Sequence, residues 1–209
     1  MAVYKICIIS PFPPAQGGMS ELANNMSNNF VKDGNYIFKV NTSISKHNFF
    51  HYLRLYYDLI KKIIKCDIVQ IISSSGKSTW AINLPAIIIS KIAKKKVILN
   101  FVGGSAVDPT IKWSIIKKAP FIFSDIVVVP TSNFGNGLIK VGLIKRYVII
   151  PHVVKLDRFE NIKFNRNENI ILAIKSLSDY SNFEILINIF EEVKRKVPKV
   201  KLWIAGDGP

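Results

Sequence analysis

Short apolar runs and longer mixed segments alternate along this 209-residue chain. The runs are Val3–Ile9, Ile37–Asn41, Ile68–Ile72, Val97–Phe101, Ile126–Val129, Val148–Ile150, Ile170–Ile174 and Val200–Ala205. Ile and Val dominate them. The apolar residues follow one another instead of alternating with polar ones, as in strands covered on both faces of a parallel sheet. Helix-length segments lie between them: Ser20–Lys32, Asn48–Lys65, Ser78–Ala93, Ile111–Phe123, Asn133–Val141 and Phe183–Lys196. This alternation predicts an α/β protein with a doubly wound parallel sheet. Such sheets bind ligands beyond the carboxyl ends of their strands. The loops that follow strands are therefore where chemistry is sought.

One stretch interrupts the alternation. Asp157–Glu168 is polar, charged and turn-prone. It predicts a first domain at 1–157, a linker at 158–168 and a segment at 169–209 that holds only strand, helix and strand. That segment is small for a core of its own. It is expected to be the incomplete start of a second α/β domain. A terminus docked on the first domain is the alternative.

Composition narrows the classes. Hydrophobic residues are 49% and charged residues 21%, which excludes disorder as the main state. The longest apolar candidate, Trp80–Ile89, contains Asn83 and Pro85, and falls short of the roughly 18 apolar residues of a spanning helix. Lys and Arg number 29 against 14 Asp and Glu, a formal charge of +15. That surplus calls for an anionic partner: nucleic acid, a nucleotide or phosphorylated metabolite, or an acidic membrane surface. Cys7 and Cys66 make no disulfide framework and fit no metal-ligand spacing. The run Ile6–Ile9 is too short for a signal peptide, so a cytoplasmic setting is expected.

Four loops stand out. After the first strand comes Pro11-Phe12-Pro13-Pro14-Ala15-Gln16-Gly17-Gly18. Its prolines stiffen it, and Gly17 and Gly18 let backbone approach a ligand at the start of a helix. The third strand runs into Ser73-Ser74-Ser75-Gly76-Lys77-Ser78, which mimics a P-loop but has Ile71 where a P-loop needs glycine. Ser74 can still line a site there. The fourth strand ends in Gly103-Gly104-Ser105, again open to close approach. His152 follows Pro151 near the domain boundary and reads as a solvated or core histidine before a catalytic one. Ser132 reads as a helix N-cap. No nucleophile elbow and no zinc-protease motif is present.

The order of these loops carries more than any one of them. Pro-Phe-Pro-Pro-Ala-Gln-Gly-Gly, Val-Gly-Gly-Ser-Ala, Ile-Pro-His-Val-Val-Lys-Leu-Asp-Arg-Phe and Val-Pro-Lys-Val-Lys-Leu-Trp-Ile-Ala-Gly-Asp-Gly-Pro together resemble the GT-B glycosyltransferases of the family-4 type. The resemblance covers nearly the whole chain. It implies two Rossmann-like domains facing across a cleft. It implies transfer of a sugar from a nucleotide-diphosphate donor to a glycan or lipid-linked acceptor, with retained configuration and no metal or separate cofactor. The first domain would bind the acceptor, with Gly103, Gly104, Ser105, Ser74 and His152 as acceptor-side candidates. Gly17 and Gly18 would approach the donor's diphosphate and sugar. No catalytic residue is assigned.

The chain also departs from that pattern. The Arg and Lys common after the first strand of the donor domain align with Ser176 and Ser181. Lys175 is then the cation left for the donor phosphates, without arginine's bidentate geometry. Val102 stands where His or Arg is frequent, and His152 and Lys155 replace Asn and Asp. The family's paired glutamates would lie beyond residue 209, so these residues alone are expected to show little or no transferase activity. The basic surplus suits an anionic membrane surface, through segments Tyr56–Lys65 and Ser90–Lys96. Aromatic residues in Asn48–Lys65 would then sit at the interface, or else face the core. No nucleic-acid partner is expected, since no nucleic-acid-binding signature accompanies the charge. The competing classes are a non-catalytic basic binding module, for nucleic acid or protein, and a P-loop NTPase.

Overall fold

β-branched side chains suit a pleated surface packed on both sides, and the Ile/Val runs form strands. The computed structural model describes residues 2–15, 17–43, 49–75, 77–108, 110, 113–152, 169–178 and 181–208. The chain divides into two compact units, Met1–Val154 and Lys155–Pro209.

In the first unit the order is β1 (Lys5–Ser10), α1 (Gly18–Lys32), β2 (Tyr36–Asn41), α2 (Phe49–Lys65), β3 (Ile68–Ser73), α3 (Lys77–Ile92) and β4 (Lys96–Phe101). A 3-10 turn (Gly104–Val107), α4 (Ile115–Phe123), β5 (Ile126–Val129), α5 (Ser132–Lys140) and β6 (Val148–Ile149) follow. The six strands are parallel, in the order β2-β1-β3-β4-β5-β6. Ile6 pairs with Ile37 on one side and Ile68 on the other. The chain winds outward from β1 to β2, then returns past β1 to β3. The winding therefore reverses between β1 and β3, which makes that gap the topological switch point.

The reversal also distributes the helices. Alternate residues of β1 serve opposite faces. Ile6 and Ile8 pack with Phe12, Leu22 and Ala23 of α1 and its approach loop. Cys7 and Ile9 pack with Leu55, Leu59 and Ile63 of α2, and the same core runs on through α3, α4 and α5. One helix covers one face and four cover the other. The hydrogen bond with Cys66, and then burial, push the Cys7 thiol up. Both cysteines are buried and unoxidised.

The helix predicted from Ile111 starts at Ile115. The Ser114 hydroxyl accepts from the Lys117 N–H at 3.4 Å and sets that start. Thr131, rather than Ser132, caps α5, with its hydroxyl accepting from the Phe134 N–H at 3.2 Å. Thr131 is the residue held in extended backbone, which is what an N-cap needs.

The second unit holds β7 (Ile170–Ile174), α6 (Phe183–Lys196) and β8 (Lys201–Ala205). β7 and β8 pair in parallel as a sheet of their own. Val200 is the one buried apolar side chain among its described residues, and Leu172, Ile174 and Trp203 are exposed. The linker expected at 158–168 lies outside the described residues.

Candidate functional site

The loop after β1 is held at both ends. Phe12 is buried in the α1 face of the core. Its N–H donates to Asn41 Oδ1 at 3.0 Å, and the same oxygen accepts from the Ser43 N–H at 3.0 Å. The Thr42 N–H donates to the Ser10 carbonyl at 3.0 Å. The ends of β1 and β2 are thereby tied together, and the chain is delivered to Gly17.

Gly17 stands just before α1 with φ 121°, a backbone state that L side chains rarely adopt. The first helical bond runs from the Glu21 N–H to the Gly17 carbonyl at 3.2 Å. The N–H groups of Gly18, Met19 and Ser20 precede it, and Gly17 has no side chain to cap them. Open space surrounds both glycines where a Cβ would project. Two hydroxyls frame this helix start: Ser10 ends β1 and Ser20 lies in the first turn. Both are buried, and neither has a hydrogen-bond partner among the described residues. The partial positive charge at this open helix start suits an oxygen-rich anion.

A small cleft of about 60 Å³ opens at the switch point, lined by Pro11, Met19, Thr42, Ser73, Ser74 and Asn83 among others. Asn83, buried in α3, donates to Ser73 Oγ at 2.6 Å and fixes the floor. Ser74 lies on the rim. The next loop leans on this one. The Val102 N–H donates to the Ser73 carbonyl at 2.9 Å, and Ser75 Oγ donates to the Gly103 carbonyl at 3.1 Å. A Cβ on Gly103 would run into the Ser75 side chain and backbone. Gly104 and Ser105 begin the 3-10 turn; Gly104 faces open space and Ser105 is exposed.

The structure thus gathers Gly17, Gly18, Ser74, Gly103, Gly104 and Ser105 onto one rim of the sheet. His152 follows β6 on the same carboxyl rim, exposed, two strands from β4 and four from β1. Lys175 belongs to the second unit. It follows β7, where its N–H donates to the Ala205 carbonyl at 3.2 Å, and Gly206 packs against its backbone. Sequence reasoning missed Ser10, Ser20 and Asn83. Asn83 carried a signal, as an amide inside an otherwise apolar helix.

A wider groove of about 990 Å³ lies at the opposite ends of β5 and β6, beside Ile126 and Val148. It is away from the carboxyl ends where such sheets bind ligands. Among the described residues, no group of three His, Cys, Asp or Glu side chains is placed to hold a metal ion.

No protein-family model matches the sequence, and no curated protein matches it. Solved structures do. An alpha-glucosyltransferase in complex with UDP and a 13-mer DNA containing an HMU base superposes with a TM-score of 0.63 at 14% identity, over 91% of this chain and 54% of that one. HepE of Anabaena, in complex with UDP and glucose, gives 0.59 at 12% identity, over 99% and 62%. The alpha-glucosyltransferase with UDP-glucose and DNA containing an abasic site gives 0.64 at 15%, over 99% and 58%. The fold is that of the GT-B glycosyltransferases. The chain spans 54% to 62% of the length of these GT-B structures. At such identities the likeness speaks for the fold alone.

Proposed function

We propose that this chain is part of a glycosyltransferase that moves a sugar from a nucleotide-diphosphate donor to a glycan or lipid-linked acceptor. The family-4 type, retention of configuration and independence from metal and cofactor belong to the same reading. In it the first unit serves the acceptor, and 169–209 begins the donor-binding domain. The observation that carries it is the start of α1: an uncapped helix N-terminus behind an open glycine pair, at the switch point. UDP in the similar structures supports it.

In the reaction, the bond from the sugar's anomeric carbon to the diphosphate breaks, and a bond to an acceptor hydroxyl oxygen forms. That hydroxyl's proton leaves toward the departing diphosphate. Negative charge therefore grows on the phosphate oxygens. Donors already oriented toward those oxygens lower the barrier, because they need not reorganise as the charge develops. In the first unit the N–H groups of Gly18, Met19 and Ser20 take that role; Lys175 is the donor-side cation that the family resemblance implies for the second unit. Gly103, Gly104, Ser105 and Ser74 shape the acceptor side.

The test is UDP binding by titration calorimetry. Gly17→Ala is expected to weaken it at least tenfold by straining the loop. Ser20→Ala is expected to leave it unchanged while stabilising the protein by about 1 kcal/mol, since it removes a buried hydroxyl without a partner. UDP binding that Gly17→Ala leaves undiminished would end this reading. Salt-steep DNA binding with no response to nucleotides would replace it with a binding module.

A further inference from the structure

We propose that the outer face of α2, together with α3 beside it, docks onto an anionic lipid bilayer. This concerns another face of the molecule and does not rest on the sugar-transfer reading. α2 has two apolar faces. Leu55, Leu59 and Ile63 are buried in the core. Phe50, Leu53, Tyr57, Ile60 and Ile64 are 45% to 74% exposed. Their spacing of three, four, three and four residues aligns them in one stripe along the helix. An ordinary surface helix needs one apolar face, so burial in this fold does not account for the second.

The stripe continues sideways. α3 packs against α2, and Tyr56 donates to the Ala81 carbonyl at 2.7 Å across that seam. The outward ridge of α3 carries Ile88 and Ile92, the latter 77% exposed. Soluble monomers rarely leave so continuous an apolar surface bare.

Charge selects the occupant. Arg54, Lys61 and Lys65 recur at intervals of seven and four, which places them along one border of the stripe. None of them makes an ion pair among the described residues. Lys61 lies 5.8 Å over the Tyr57 ring. The acid of α2, Asp58, is already paired with Lys62 at 2.6 Å. A second copy of the chain would set these cations against themselves. A bilayer with anionic headgroups meets them with the opposite charge and accepts the aromatic and aliphatic side chains beneath. Among the described residues no helix is long and apolar enough to cross a membrane, so the contact is superficial.

The experiment is co-sedimentation with vesicles of phosphatidylcholine, or of equal parts phosphatidylcholine and phosphatidylglycerol. The protein is expected to sediment with the mixed vesicles and not with the neutral ones. Arg54→Gln with Lys61→Gln and Lys65→Gln should reduce partitioning on the order of a hundredfold. Phe50→Ser with Tyr57→Ser and Ile64→Ser should abolish it. All six side chains are exposed, and unchanged circular dichroism and melting would show that both variants fold. Equal binding to both vesicles, or undiminished binding by the Ser variant, overturns the proposal. So does no vesicle binding combined with a dimer that the Ser variant dissolves, which would make a second copy the occupant.

Discussion

Gly103 shows how one residue ties two loops. Its carbonyl accepts from Ser75, and its α-carbon leaves no room for a methyl group against the Ser75 side chain and backbone. Gly103→Ala should force the β3–α3 loop off the β4 loop and cost about 1 to 3 kcal/mol, the usual range for overpacking. A urea titration checks this; Gly104→Ala, which faces open space, serves as the control. The sequence already marked this loop, because a glycine pair after a strand points to close backbone approach. It did not mark Ser10 or Ser20. A buried hydroxyl without a partner depends on what the tertiary structure fails to bring near it, and no local pattern encodes that.

Elements were more legible than their ends. Strand runs such as Ile126–Val129 and Ile170–Ile174 are the strands observed, because runs rich in Ile and Val favour extended backbone. Helix starts turn on single hydroxyls, and Ser114 and Thr131 decide theirs over the neighbours that sequence favoured. The aromatic residues of α2 also divided: Tyr56 turns inward to α3, and Phe50 and Tyr57 turn outward. Between elements, Asp125 is the tie to watch. It bonds Lys91 of α3 at 2.7 Å and the Val97 N–H of β4 at 2.8 Å. Partial burial pushes its carboxyl up, but Lys91, the Val97 N–H and the nearby Lys96 charge outweigh that and hold it below the usual carboxylate range. A depressed carboxyl stabilises above its unfolded pKa and loses that contribution as pH falls through the folded one. Asp125→Asn should therefore cost about 1 kcal/mol near neutral pH, given its partial exposure, and nothing in strong acid. Melting curves across that range check it.

At the scale of the molecule the two units are unequal. The first has a core on each face of a six-stranded sheet; the second has two strands, one helix and Val200 as its buried apolar side chain among the described residues. So little burial offsets little conformational entropy. Thermal unfolding should occur in two steps, the second unit first and the first unit cooperatively at higher temperature. A single calorimetric transition with matching calorimetric and van't Hoff enthalpies would contradict this. In the sequence, Asp157–Glu168 leaves one strand–helix–strand segment after it, and β7, α6 and β8 are the elements described there.

The exposed indole of Trp203 belongs to the smaller unit, and Trp113 packs edge-on to Phe121 at 5.9 Å in the larger. Water around one ring and hydrocarbon around the other separate their emission: Trp203 fluoresces at longer wavelength and is quenched readily by iodide. With Trp80 also in the larger unit, Trp203→Phe would silence the smaller unit and leave all remaining indole emission to the larger one.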